Sequence, residues 1–380
     1  MTRALIGFDA RKSKDFGIGS YIRELIGAIA RRPESEEYRF RVYTRRADRD
    51  AFAGLPARFE IVEEEARGYS VAELTRYAWR IFRDRLDLFH ATHYVLPPLP
   101  RVRAVVTIHD IIHLLYPQFL PSRVAHAYAR VMIRRALKRA DRIITVSYNS
   151  KRDLVDYFGV HPSGIEVIYN GVSPRFRPDV PQGEQEAAAA KYRLRRPYLL
   201  FLGGEKPHKN VRNVVRAFAE ARRDRSLTQA LVLAGPLAKN PARLRALIAA
   251  LDLAGSVFQP GIVEEADLPA LYAGADLFLY PTLYEGFGLP VVEAMACGTP
   301  VLTSSTSALQ EIAGGYAYMV DPMDVDAIAR GIAALSTDAK LRADFVELGK
   351  KRALEFSWDK AAEKTLAVYA SVLTHEGRRS

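Results

Sequence analysis

The stretch from Tyr280 to Gly298 reads Y-P-T-L-Y-E-G-F-G-L-P-V-V-E-A-M-A-C-G and joins a predicted strand, a glycine-bearing loop and a predicted helix. Pro290 near the first helical turn and Gly298 just past the last are typical of the start and the end of a helix. Gly286 and Gly288 allow the loop backbone to approach a ligand, and the first N–H groups of the helix have no partner within it. This pattern predicts an anion site that favours phosphate.

Two glutamates bracket this predicted phosphate site: Glu285 precedes the loop and Glu293 lies one turn into the helix. Carboxylates repel phosphate, but an ionised carboxylate is a pure hydrogen-bond acceptor and suits hydroxyl groups. A phosphate site beside two such acceptors predicts a nucleotide sugar, with Glu285 at the sugar and Glu293 at the ribose. The alternative is an ordinary turn carrying two solvated glutamates.

The segment E-G-F-G-L-P-V-V-E-A-M-A-C-G-T-P-V resembles the E-x7-E motif of the family 4 retaining glycosyltransferases. The resemblance implies the GT-B fold, an α/β architecture of two doubly wound, Rossmann-like domains that face each other across a cleft. It further implies a C-terminal helix that crosses back to the N-terminal domain. Within the motif it implies a catalytic role for Glu285 and donor contacts for the loop and helix residues Gly286, Phe287, Gly288, Leu289 and Glu293.

Length and composition agree with two soluble domains. The chain has 380 residues, of which 49% are hydrophobic and 26% charged, as in globular proteins. Its lone cysteine, Cys297, fits a reducing compartment. No apolar run approaches the roughly 20 residues that span a bilayer, and the N-terminus predicts a first strand rather than a signal peptide. We therefore expect a cytoplasmic protein.

The positive charge is concentrated in the first half of the chain. Residues 1–180 contain 31 Lys and Arg against 21 Asp and Glu, whereas residues 181–380 contain 24 against 23. Such a basic field suits nucleic acid, anionic lipid or an anionic substrate. Neither an aromatic-interleaved basic platform nor a helix-turn-helix pattern is present, so we expect no nucleic-acid partner. A basic nucleic-acid-binding protein remains the alternative from another functional class.

The first strand is followed by a loop that contains Gly17 and Gly19. In a dinucleotide-binding fingerprint the third glycine would fall at Ile22, so a nicotinamide enzyme is disfavoured. The two glycines would let the loop approach the donor phosphates or the acceptor. A plain flexible turn is the alternative.

Alternating strands and helices predict parallel sheets, whose ligands bind beyond the carboxyl ends of the strands. His109 directly follows such a strand, and the resemblance places it beside the donor sugar in a catalytic role. A histidine that merely ends a strand is the alternative. His109 and His113 have the spacing of a zinc pair but lack the glutamate and the helical setting of H-E-x-x-H, so no metal is expected.

The segment 122–142 predicts a basic helix. One face carries the four cations Arg123, Arg130, Arg134 and Lys138. This face would contact an anionic membrane, on the inner side of the cell membrane, or an anionic acceptor. A solvated helix surface is the alternative.

The second domain begins after the best linker candidate, Ser173 to Ala190, which contains three prolines. A glycine turn after a strand, at Gly204, and Lys209 at the next helix would aim a cation at a diphosphate. Lys209 matches the phosphate-binding lysine of the family, and Val263 matches a position whose backbone contacts the base. Many members of the family carry an arginine at the position of Gly204, which here would leave one cation unless Lys206 or His208 reaches in.

These features predict an N-terminal acceptor domain over residues 1–175, joined by the helix 358–380, and a nucleotide-sugar domain over residues 191–357. The expected reaction is retaining transfer of a hexose to a glycan or lipid-linked saccharide in cell-surface polysaccharide or lipopolysaccharide synthesis. Mannose from GDP-mannose is the expected donor. No cofactor or metal is expected, because Asp324 of the D-x-D look-alike Asp324-Val325-Asp326 is a good helix cap. A nucleotide-sugar epimerase or a polysaccharide phosphorylase is the rival enzyme.

Overall fold

The computed structural model of the protein describes residues 3–99, 102–120, 122–223, 227–236 and 241–374. The chain divides into two compact units, the first formed by Met1–Gly171 with Ser357–Ser380 and the second by Val172–Phe356. Residues 375–380, the end of the predicted C-terminal helix, lie outside the described residues.

The first unit contains a parallel sheet of seven strands within its described residues, in the order β3-β2-β1-β4-β5-β6-β7. Every pair of neighbouring strands is parallel. The strand order reverses at β1 and β4, which is the switch point of a doubly wound sheet. The strands are β1 Ala4–Asp9, β2 Tyr38–Thr44, β3 Phe59–Glu63, β4 Leu88–Ala91, β5 Arg103–Thr107, β6 Arg142–Thr145 and β7 Ile165–Val167.

Helices cover both faces of this sheet. They are α1 Ile18–Arg31, α2 Ala78–Arg83, α3 Ile112–Leu115, α4 Arg123–Arg139, α5 Tyr148–Phe158 and the C-terminal α14 Trp358–Thr374. Side chains of a strand alternate between the two faces. Phe89 and Ala91 of β4 therefore join the apolar core cluster that α4 also packs against, whereas His90 between them points to the other face.

Helix α14 belongs to the first unit although it follows the second in sequence. It packs along α1. The Tyr369 hydroxyl of α14 shares a hydrogen bond of 2.6 Å with His90 Nδ1, and His90 Nε2 shares one of 2.8 Å with Thr107 Oγ1. All three side chains are fully buried. Burial lowers the pKa of His90 to about 3, so the imidazole is neutral and each nitrogen has a partner.

The second unit contains a parallel sheet of six strands among its described residues, in the order β10-β9-β8-β11-β12-β13. The strands are β8 Tyr198–Leu202, β9 Ala230–Ala234, β10 Val257–Gly261, β11 Leu277–Tyr280, β12 Val301–Ser304 and β13 Tyr318–Val320. The helices are α6 Gln182–Lys191, α7 Val211–Ala221, α8 Pro241–Ala250, α9 Leu268–Ala273, α10 Leu289–Ala296, α11 Ser307–Ala313, α12 Val325–Thr337 and α13 Ala339–Ala353. Two doubly wound α/β units and a C-terminal helix on the first confirm the predicted fold class.

The predicted linker is wrong. Residues 173–190 lie in the second unit, and their second half contributes to α6. Phe176 and Val180 are buried in the same core cluster as strands β8 and β11, so this segment is packed into the second unit. The second unit begins at Val172 and ends at Phe356. The Val172 N–H donates to Phe356 O at 3.2 Å, so the two ends of this unit are hydrogen-bonded to each other.

The link between Tyr369 and His90 should contribute measurably to stability. We expect Tyr369→Phe to lower the free energy of unfolding by about 1–3 kcal/mol, because it leaves His90 Nδ1 buried without a partner. Chemical unfolding followed by circular dichroism measures the change. Tyr77→Phe is the control, because the Tyr77 hydroxyl is equally buried and has no hydrogen-bond partner to lose. An equal loss in both variants would contradict the assignment.

Candidate functional site

The carboxyl ends of the strands in the second unit are held close together by glycine backbones. Gly203 N–H, just after β8, donates to Ala234 O at 2.9 Å, and Gly235 N–H, just after β9, donates to Gly261 O at 2.7 Å. Gly235 has φ +122°, and a Cβ there would lie 2.5 Å from Gly203 O. Only glycine permits this approach. The loops after β8, β9 and β10 therefore form one surface.

The loop 281–288, which joins β11 to α10 and contains Glu285, continues that surface. Helix α10 begins at Leu289, with Pro290 in its first turn and Gly288 as its N-cap at φ +98°. A Cβ on Gly288 would lie 2.5 Å from Leu309 Cδ2, so the glycine is required both by its backbone angle and by its neighbour. The Phe287 ring is buried against Phe356, at 5.5 Å between ring centroids. Because the ring is buried, the donor contact predicted for Phe287 would have to come from its backbone.

The structure brings two predicted site residues into direct contact. Lys209 Nζ donates to Glu285 Oε1 at 2.8 Å and to the Tyr280 hydroxyl at 2.7 Å. Both charged side chains are largely buried, with 20% of Lys209 and 14% of Glu285 exposed. Burial alone lowers the pKa of Lys209, but the Glu285 charge and the Tyr280 hydroxyl raise it, and the net shift is upward. Lys209 is therefore a fixed cation.

Asn210 fixes the position of Lys209. Its backbone is in the left-handed region at φ 62°, and its Nδ2 donates to Pro281 O at 2.9 Å and to Pro322 O at 2.7 Å. Pro281 directly follows β11, and Pro322 lies shortly after β13. One buried amide thus ties the lysine turn to two other strand ends. Asn210 was not among the predicted site residues, because an asparagine at a helix start predicts a cap, whereas this side chain makes no capping bond.

Glu293 lies on the first turns of α10, half-buried. Its Oε2 accepts a hydrogen bond of 3.1 Å from the Tyr272 hydroxyl. Burial, followed by the nearby charge of Glu293, raises the pKa of Tyr272, so this phenol remains a hydrogen-bond donor. The tyrosine therefore helps to hold the Glu293 side chain in place.

The surroundings of Gly204 leave little room for a side chain at this position. A Cβ there would lie 3.2 Å from Pro236 O, so the loop after β9 closes over this position. Lys206 is exposed. Burial, together with the charge of Lys209, lowers the pKa of His208 to about 4, so this histidine supplies no positive charge. Val263, the predicted base contact, is half-buried and packs on the core of this unit after Gly261.

In the first unit, His109 follows β5 as predicted. Its Nε2 hydrogen-bonds Thr92 O at 3.0 Å, and its ring meets the Tyr21 ring edge-on at 4.7 Å. Burial lowers the pKa of His109 to about 4, partly offset by the bond to Thr92. The ring is neutral, and since a carbonyl can only accept, Nε2 carries the proton. Nδ1 is then an acceptor.

The glycine loop after β1 is also structurally required. Gly17 is the N-cap of α1 at φ 75°, and a Cβ on Gly19 would lie 2.4 Å from Ser13 O. The loop is therefore a shaped turn. Whether it contacts the donor stays a prediction.

The basic helix is present as α4. Ser122 caps it by accepting from Ala125 N–H at 3.1 Å, and its buried side faces the core through Ala129, Ile133 and Ala136. The four predicted cations are all exposed: Arg123, Arg130, Arg134 and Lys138. Val124 and Val131 are exposed beside them, by 78% and 51%.

Two further features concern metals and membranes. The Asp324 side chain accepts from Ala327 N–H at 2.8 Å and caps α12, which confirms the capping interpretation of this D-x-D look-alike. Among the described residues, no group of three or more His, Cys, Asp or Glu side chains could hold a metal ion. In the same part of the chain, none of the helices has the length and apolarity needed to cross a membrane.

Comparisons with known proteins show which families this chain resembles. A family model described as Glycosyltransferase Family 4 matches residues 17–176, and one described as Glycosyl transferases group 1 matches residues 184–352. The O-antigen chain mannosyltransferase B of Escherichia coli is 32% identical over 303 residues, which cover 79% of this chain and 78% of that one. A D-inositol 3-phosphate glycosyltransferase of Salinispora arenicola is 34% identical over 259 residues, covering 63% and 57% of the two chains.

Solved structures show the same fold. A sucrose-phosphate synthase from Thermosynechococcus elongatus superimposes with a TM-score of 0.77 at 20% sequence identity, covering 97% of this chain and 99% of that one. Solved structures described as glycosyltransferases, one from Rickettsia africae and WaaG of lipopolysaccharide biosynthesis, share this fold with TM-scores of 0.74. The E-x7-E motif, the two doubly wound units and these relatives lead to one conclusion: the chain belongs to family 4 of the glycosyltransferases.

Proposed function

We propose that the protein is a retaining hexosyltransferase that moves mannose from GDP-mannose onto a glycan or lipid-linked saccharide during cell-surface polysaccharide synthesis. The contact between Lys209 and Glu285 is the observation that carries the proposal, because it pairs a phosphate-binding cation with a hydroxyl-binding carboxylate. The similarity to an O-antigen mannosyltransferase supports mannose as the transferred sugar.

The chemistry is electrostatic. When the bond to the sugar breaks, negative charge develops on the departing diphosphate, and preorganised donors aimed at that charge lower the barrier. In this proposal, Lys209 and the backbone N–H groups of 286–289 act as such donors. A bound diphosphate competes with Glu285 for Lys209, and the released carboxylate can then accept from sugar hydroxyls or stabilise an oxocarbenium-like centre. Since Lys209 supplies the positive charge, no metal ion or other cofactor is needed.

His109 contributes an uncharged acceptor. With its proton fixed on Nε2 by Thr92 O, Nδ1 can accept a hydrogen bond from a hydroxyl of the transferred hexose. A protonated imidazole would instead place a positive charge beside a sugar carbon that itself becomes positive in the transition state. Burial therefore suits His109 to holding the sugar.

Turnover of a defined donor and acceptor tests the proposed function. With octyl α-D-mannoside as acceptor, we expect GDP-mannose to release GDP faster than UDP-glucose or ADP-glucose releases its own nucleotide. The rate should be unchanged by EDTA, and NMR of the product should show an α-linkage. GDP release only with acceptor present separates a transferase from an epimerase. Activity lost in EDTA and restored by manganese, or a β-linked product, would contradict the mechanism.

The two motif glutamates should have separable effects. We expect Glu293→Gln to weaken binding of free GDP by about tenfold or more while kcat stays nearly unchanged, because ribose contacts are equal in ground and transition states. Glu285→Gln should bind GDP at least as well as the parent, because Lys209 loses its competing partner. Its kcat should fall about 10²–10³-fold. Calorimetry with GDP and steady-state rates measure the two quantities, and the reverse pattern would exchange the two assignments.

We further propose that α4 contacts anionic membrane on the inner side of the cell membrane. Its cations Arg130, Arg134 and Lys138 are exposed beside Val131, and each would contribute about 1 kcal/mol near an anionic surface. Reversing all three to Glu should abolish sedimentation with phosphatidylglycerol vesicles and leave turnover of the octyl mannoside unchanged.

The matched control makes the same change of charge in the second unit, at the exposed residues Arg216, Arg223 and Lys340. It should sediment like the parent. An equal loss of sedimentation in both triple variants would indicate that net charge alone controls binding to the vesicles. No loss in the α4 variant would show that this face is merely solvated.

A further inference from the structure

The first unit contains a second group of chemically suggestive side chains, for which the proposed transfer step has no role. Five aromatic rings lie in contact, and we call them the ring cluster: Tyr69, His93, Tyr94, His113 and Tyr128. Their centroids are 4.0 Å apart for His93 and Tyr94, 5.2 Å for Tyr94 and His113, and 5.3 Å for Tyr69 and His93. Tyr128 of α4 meets the Tyr69 ring at 6.3 Å.

The ring cluster lies beyond the carboxyl ends of the strands, where parallel sheets bind ligands. His93 and Tyr94 follow β4, and His113 lies on α3 after β5. Thr92, the residue before His93, supplies the carbonyl that accepts from His109 Nε2. The cluster therefore adjoins the proposed sugar-contacting histidine within the same unit.

Polar atoms of the ring cluster are buried without partners. His93 is only 8% exposed; its Nε2 shares a hydrogen bond of 2.8 Å with the Tyr69 hydroxyl, but its Nδ1 has none. His113 Nε2 and the Tyr128 hydroxyl also lack hydrogen-bond partners. A buried polar atom left unpaired costs about 1–3 kcal/mol, so such groups usually have a function. Three in one cluster indicate a ligand that brings its own donors and acceptors.

The ring cluster has little charge to offer such a ligand. Burial lowers the pKa of His113 to about 4, and burial followed by the charge of Lys12 lowers that of His93 well below its usual value. Both imidazoles are neutral. Lys12 Nζ lies 4.7 Å above the Tyr69 ring but is paired with Asp15 at 3.0 Å.

Arg11, the other nearby cation, is already paired with two carboxylates. It is buried and contacts Asp9 and Glu73, each at 2.7 Å. A phosphate or other anion would find no unpaired cation among these neighbouring residues. Ring faces with uncharged hydrogen-bonding groups instead suit a ligand that has both apolar C–H faces and hydroxyl groups.

Tyr69 is held in a strained position that presents its ring. Its backbone is in the left-handed region at φ 62°, which is uncommon for a residue with a side chain and costs about 1 kcal/mol or more. Its N–H donates to Glu73 Oε2 at 2.7 Å, which helps to hold this conformation. The Tyr69 side chain is half-exposed, whereas His93 is buried and the other three rings are partly buried.

We propose that the ring cluster binds an uncharged sugar ring of the acceptor saccharide. Tyr69 stacks on the C–H face of the sugar, and His93 Nδ1 and the Tyr128 hydroxyl bond its hydroxyl groups. This inference rests on the proposed function, because it takes the ligand to be the acceptor of the transfer. It assigns acceptor specificity to neutral hydrogen bonds and stacking in the first unit, separately from the basic face of α4.

Binding of octyl glycosides tests the ring cluster without turnover. The probes are octyl α-D-mannoside, octyl β-D-glucoside and octyl N-acetyl-β-D-glucosaminide, titrated by calorimetry into the full chain. We expect the parent to bind at least one of them. Tyr69→Ala should weaken that binding about tenfold, because the stacking face is lost. Tyr69→Phe, which keeps the ring but releases His93 Nε2, should show a smaller loss.

Phe82→Ala on α2 is the matched control, because Phe82 is 47% exposed and Tyr69 is 50% exposed in the same unit. It should bind the glycoside like the parent. Unchanged binding in Tyr69→Ala, equal losses in Tyr69→Ala and Phe82→Ala, or no binding of any probe to the parent would overturn the inference. GDP binding, measured on the same samples, should be unchanged in all three variants. Its absence from the parent would instead refute the proposed donor.

Discussion

Parallel strand pairing is the constraint on which this protein depends. Each parallel strand brings its carboxyl end to the same edge of the sheet as its neighbours, so loops distant in sequence become neighbours in space. In the second unit the loops after β8, β9 and β10 approach so closely that Gly235 leaves no room for a Cβ. In the first unit the residues after β4 and β5 bring His93 and His109 to one edge.

The two units use this edge differently. The second unit places charge there, as the largely buried ion pair of Lys209 and Glu285. A buried ion pair is costly to form and costly to break on one side only. That cost suits a site whose ligand supplies both a phosphate for Lys209 and hydroxyl groups for Glu285. In the proposed function, the pair selects for a ligand that carries both kinds of group.

The first unit instead keeps the histidines near this edge uncharged. His90, His93, His109 and His113 are each held neutral, with burial as the largest cause of the shift in pKa. A neutral imidazole both donates and accepts a hydrogen bond, which suits hydroxyl groups better than phosphate. Exposed faces such as that of α4 carry many of the Arg and Lys residues of the first half of the chain, and Arg11 and Lys12 near this edge are paired with carboxylates. Net charge therefore says little about the ligand of this edge.

The sequence by itself determined what depends on neighbouring residues: the alternation of strands and helices, the glycine turn into α10, the Asp324 cap and the E-x7-E motif. These follow from local backbone preferences that a short window contains. The linker predicted at residues 173–190 is wrong, because its prolines are a local signal, whereas the burial of Phe176 depends on residues distant in sequence. Only the tertiary structure joined Lys209 to Glu285 and assembled the five rings, since both contacts arise where separate strands end at one sheet edge.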